Sequence, residues 1–102
     1  MKPGISPESF EQLRAQSQRC LIDFLHAELH LGFTFAEAAA FDRDRGNAEH
    51  SRHTKEQAAK AAANIHHFLD RVAHPEIRDA IAARCAELEE ALAVVKADET
   101  AL

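Results

Sequence analysis

After Pro7, the only glycines and prolines in the chain are Gly32, Gly46 and Pro75, so the backbone has few places at which it can readily turn. The stretches between them are rich in Ala and carry no Trp or Tyr, a composition that suits helices and is poor material for sheets. An all-α chain is expected before any periodicity is read. At 102 residues it has the length of one domain with a single modest core.

Ser6-Pro7-Glu8 reads as a helix start. Ser6 can cap the free amides, Pro7 suits the first helical position, and Glu8 favours the positive end of the dipole. From there Phe10, Leu13, Ser17, Cys20, Phe24, Ala27, Leu31, Thr34, Ala38 and Phe41 recur at alternating spacings of three and four. That pattern predicts one long amphipathic helix over about 7–41. The run DRDRGN reads as a tight turn, with Asn47 capping a second helix over about 48–72. Thr54, Ala58, Ala61, Ala62, Ile65, Phe68, Leu69 and Val72 give this helix a thin apolar stripe that demands close approach. Pro75 ends it and opens a third helix over about 75–97, whose stripe is Ile77, Ile81, Cys85, Leu88, Leu92 and Val95. Short connections make successive helices antiparallel neighbours, so the expected architecture is an up-down-up three-helix bundle with a long first helix. It forms one domain over 1–102, with 1–6 a flexible N-terminus and 98–102 a frayed C-terminus.

The net charge of −5 repels polyanions, which argues against nucleic acid or an anionic membrane as partners. No apolar run approaches the roughly 20 residues of a membrane helix, and the N-terminus has no apolar targeting core. A cytoplasmic protein is expected. Cys20 and Cys85 are not in metal-binding or redox spacing; both fall on apolar stripes and read as buried free thiols. Rise arithmetic sets Cys85 level with about Leu25, too far along the axis from Cys20 for a disulfide.

His26, Glu28 and His30 raise the question of a metal site. His26 and His30 share one helix face, but Glu28 points away by more than about 100°, and a zinc site needs three or four converging ligands. No Glu has a His three residues after it, and HExxH is missing, so di-iron and zincin patterns are both absent. The two histidines read as members of a solvated polar stripe. A metal-binding bundle using His26 and His30 with His50 or His53 is the alternative. The charged run 43–55 reads as a polar turn, and its acidic residues largely cancel its basic ones. With no phosphate loop, no GxSxG and no arranged Cys–His pair, the expectation is a non-catalytic protein without a cofactor.

The surplus apolar surface lies in the middle of the first helix. Leu21, Phe24, Leu25, Leu31 and Phe35 form the expected core stripe there, and Ile22, Leu29, Phe33, Ala36 and Ala40 form a second flank. Two neighbouring helices leave part of such a helix uncovered, so Ile22, Leu29, Phe33 and Ala36 are the expected interaction surface, either a homodimer seam or a seat for a protein partner. Ala27, Leu31-Gly32, Phe35 and Ala39 on one helix, Gly46 at the turn, and Ala58, Ala59 and Ala62 on the next resemble a tetratricopeptide-type helical hairpin. The helix count and length are also similar to MIT-type three-helix domains. Either resemblance implies a protein-binding scaffold with a groove between helices. Gly32 supports close helix contact in both, since a missing side chain can offset the helix penalty of about 1 kcal/mol for glycine.

Overall fold

A computed structural model describes residues 7–100, with side chains placed for 8–95. The chain forms α1 (Pro7–Asp44), α2 (Ala48–Leu69) and α3 (Pro75–Thr100), with no strand among the described residues. This is the expected three-helix bundle. The flexible N-terminus expected over 1–6, including the Ser6 cap, lies outside the described residues, as do 101–102. α3 runs to Thr100, three residues past its expected end.

α1 also runs three residues past its expected end. Gly46, at φ 82°, takes the left-handed position, and the turn is closed by Gly46 N–H to Arg43 O at 3.0 Å and Asn47 N–H to Asp42 O at 2.8 Å. These are the paired bonds of a Schellman stop. Asn47 then caps α2, its side chain accepting from His50 N–H at 3.2 Å. At the other end α2 stops at Leu69, three residues early. Arg71 and Val72 donate to Phe68 and Leu69 in a tightened turn, and Val72 inserts as a fully buried plug. Gln18 ties α1 to this turn, donating to Arg71 O and accepting from Ala73 N–H, both at 2.9 Å.

The antiparallel register of α1 and α2 is marked by contacts along the whole seam: His50 with Asp42, Ser51 with Ala39, Asn64 with Glu28, and Phe68 with Phe24. α3 returns parallel to α1, with Leu88 against Gly32. Cys85 is therefore level with about Leu29 rather than Leu25, and the two cysteines are free, as expected.

The core of α1 follows the stripe its sequence suggests only in part: Leu25 is buried and Leu21 and Phe35 pack against the core, as expected. Leu25, Leu29, Gly32, Ala36 and Ala39 are buried, whereas Phe24, Leu31, Phe41 and Cys20 are exposed. Two physical reasons account for this. A three-four alternation averages about 3.5 residues and drifts roughly 20° per heptad around a straight helix, so a row traced from Phe10 to Phe41 does not stay on one face. The Ala-rich face of α2 can bury area only against small residues, and Gly32, Ala36 and Ala39 supply them. A Cβ on Gly32 would lie 2.5 Å from Leu88 Cδ2 and 3.4 Å from Ala61 Cβ. The stripes of α2 and α3 are placed as expected, with Ala58, Ala62, Ile65, Ile81, Cys85, Leu88 and Leu92 in one cluster.

Candidate functional sites

The expected interaction face on α1 is mostly inside the bundle. Leu29 and Ala36 are buried, and Ile22 and Phe33 are half-buried against the core, so this flank is not a free surface. α2 and α3 cover it because the bundle axis passes along this side of α1. Phe33 is further screened by the Arg84 guanidinium, 4.5 Å from the ring centroid. What remains open there is a shallow groove between α1 and α3, floored by Phe33, Ala36, Ala40 and Ala91 with Val94 at its rim. Gly32 makes the close helix contact expected of it.

Besides Phe24, Leu31, Phe41 and Val94, exposed apolar surface lies at the start of α1. Gln18 is level with the α2–α3 turn, so residues 7–17 reach about 16 Å beyond the rest of the bundle. Phe10 and Leu13 are each 52% exposed on this overhang, and Cys20, expected to be buried, lies exposed farther along. Arg14 covers one face of Phe10 at 5.1 Å and leaves the rest of the ring open. Glu8 and Glu11 precede Arg14 and Arg19, which makes the segment acidic at one end and basic at the other.

The histidines separate into two groups. His26 and His30 are exposed on α1. His50 pairs with Asp42 through Nδ1 at 2.5 Å, which places it about 18 Å along α1 from His30. His26, His30, His50 and His53 therefore do not converge, and the alternative metal set fails on register. A different group does converge: His66, Cys85 and Glu89 place one ligand atom each within 4.8 Å of one another, the one such group among the described residues. His66 Nε2 lies 3.1 Å from Glu89 Oε1 and 3.7 Å from Cys85 Sγ. Cys85 and Glu89 are one turn apart on α3, and α2 brings His66 opposite them. Burial pushes the Cys85 thiol above its ordinary value, and the Glu89 charge pushes the same way. Beside the group runs an open groove lined by Ala59, Ala62, Ala63, Leu92 and Ala93.

Sequence reasoning missed this cluster because it spans two helices. The four-residue spacing of Cys85 and Glu89 was visible, but His66 joins them only through the α2–α3 register. In class the molecule is an all-α three-helix bundle with an overhanging first helix. No protein-family profile, no curated protein and no solved structure matches the chain. Among the described residues, no helix is long and apolar enough to cross a membrane.

Proposed function

We propose that this chain is a non-catalytic helical interaction module that self-associates through the overhanging start of α1. The observation that carries the reading is the exposure of Phe10 and Leu13, each half open on a helix segment that extends past α2 and α3. Apolar side chains presented in a row on a small acidic protein favour association. A second copy is the fitting occupant. In a pairing of two overhangs, Phe10 and Leu13 of one copy cover the same two side chains of the other, with Arg14, about 40° round the helix from Phe10, at the edge of the seam. A segment this short buries less than the roughly 1,200 Å² of a stable interface, so the expected dimer is weak and concentration-dependent. Free thiols at both cysteines fit a reducing compartment, and the cytoplasm is part of the same proposal.

Sedimentation equilibrium on the full chain tests it. The wild-type chain should dimerise with rising concentration, and Phe10→Asp combined with Leu13→Asp should stay monomeric with its helical circular dichroism nearly unchanged. A wild-type monomer at high concentration, or a double variant that still dimerises, refutes the overhang as the seam. Phe33→Asp serves as the control for the inner flank: it should lower stability rather than association, because its ring is packed against the core.

A further inference from the structure

We infer that His66, Cys85 and Glu89 form a three-ligand site for a divalent, borderline-soft cation, with zinc the best fit. The geometry is convergent. Cys85 Sγ and Glu89 Oε1 both face the same nitrogen of His66, Nε2, at 3.7 and 3.1 Å. A nucleophilic relay would use the two ring nitrogens separately, one toward the thiol and one toward the carboxylate. Three donors gathered around one point instead describe a chelate. Tetrahedral zinc, with bonds of about 2.3 Å to sulfur and 2.0–2.2 Å to nitrogen and oxygen, sets its ligand atoms about 3.4–3.6 Å apart. The two separations from His66 Nε2 bracket that range, and the sulfur and oxygen lie within 4.8 Å of each other.

The chemistry of the donors agrees with the geometry. Thiolate and imidazole select zinc or its relatives over magnesium and calcium, which take oxygen ligands. On binding, the Cys85 thiol gives its proton to solvent as the sulfur–metal bond forms, and His66 enters neutral. The cation's two positive charges then balance one thiolate and one carboxylate, so the neutral assembly can sit at a sulfur that is fully buried. His66 and Glu89 are about half exposed, which leaves a route for entry. The fourth coordination position faces the Ala-lined groove and is available to water or to an external ligand. This site lies on the α2–α3 seam and is independent of self-association through α1.

Cobalt(II) titration of the untagged full chain, reduced with a non-chelating phosphine, reads the site directly. One equivalent should produce the visible bands of four-coordinate cobalt and a near-ultraviolet sulfur-to-cobalt charge-transfer band, and zinc should displace both. Cys85→Ser should abolish the charge-transfer band, and Cys20→Ser should leave it intact. Because Cys85 is a core residue, the surface variants His66→Gln and Glu89→Gln provide a separate test: each should weaken binding by more than the roughly 10–100-fold typical of losing an outer-shell partner. Three results would overturn the assignment: no charge-transfer band, a band lost with Cys20→Ser, or affinity untouched in His66→Gln and Glu89→Gln. Binding that disappears in the His26→Gln and His30→Gln double variant would move the metal to the exposed face of α1 and equally refute it.

Discussion

Cys20 and Cys85 differ in the property that governs thiol chemistry, access to solvent. Cys20 is exposed on α1, and Cys85 is buried between α2 and α3, where its sulfur approaches the Ala62 carbonyl at 3.9 Å. A disulfide-exchange reagent should therefore titrate one thiol rapidly in the native chain and the second only on unfolding. Burial, aided by Glu89, raises the Cys85 thiol in the folded state. The folded chain thus holds that proton more tightly than the unfolded chain. The resulting stability is complete below the ordinary thiol value of about 8.5 and is lost as pH rises above it. Metal-free protein should show a urea midpoint that falls over that alkaline range, with a shallower fall in Cys85→Ala; equal slopes would contradict the burial effect. Gln18 is a second residue whose role is local and measurable. It satisfies one carbonyl and one amide of the α2–α3 turn, so Gln18→Ala should cost about 1 kcal/mol in denaturant unfolding.

At the scale of the element, α1 combines two helices' worth of behaviour in one. Its C-terminal two-thirds are a packing surface built on small residues, and its first turns extend past α2 and α3. Gly32 is the centre of the packing surface, lodged between Leu88 and Ala61. Gly32→Val should lower stability by about 2 kcal/mol, since overpacking of this kind costs roughly 1–3 kcal/mol and a β-branched residue recovers only part of the glycine helix penalty. Urea unfolding checks it, and a stabilised variant would mean that α3 yields easily at Leu88. The small-residue packing also accounts for the misplaced face. Counting apolar positions favours Phe24, Leu31 and Phe41 for the core, yet large side chains there would have held the Ala-rich α2 away. The close approach at Gly32, Ala36 and Ala39 buries more of both helices and leaves the larger residues at the margin.

At the scale of the whole molecule, the number, order and direction of the helices could be read from the chain. Pro7, the DRDRGN turn with Asn47, and Pro75 mark the boundaries because their effects are local: a missing amide, a left-handed glycine, a side chain that caps. The core stripes of α2 and α3 were also legible, since each helix has one apolar face and no competing choice. The wet face holding His26 and His30 was legible because polar residues recur along it at helical spacing. Which side of α1 became core was not, because that helix is apolar over most of its middle and only contact with α2 and α3 discriminates among its faces. Nor could the meeting of His66 with Cys85 and Glu89 be read, since a shift of one turn between α2 and α3 would separate them by about 5 Å. Sequence by itself determined where the backbone turns and what each helix could bury. Tertiary packing decided which of those surfaces were buried, how far α1 extends past the other helices, and which three side chains came together, because these depend on axial register and interhelical distance set by contacts between residues far apart in the chain.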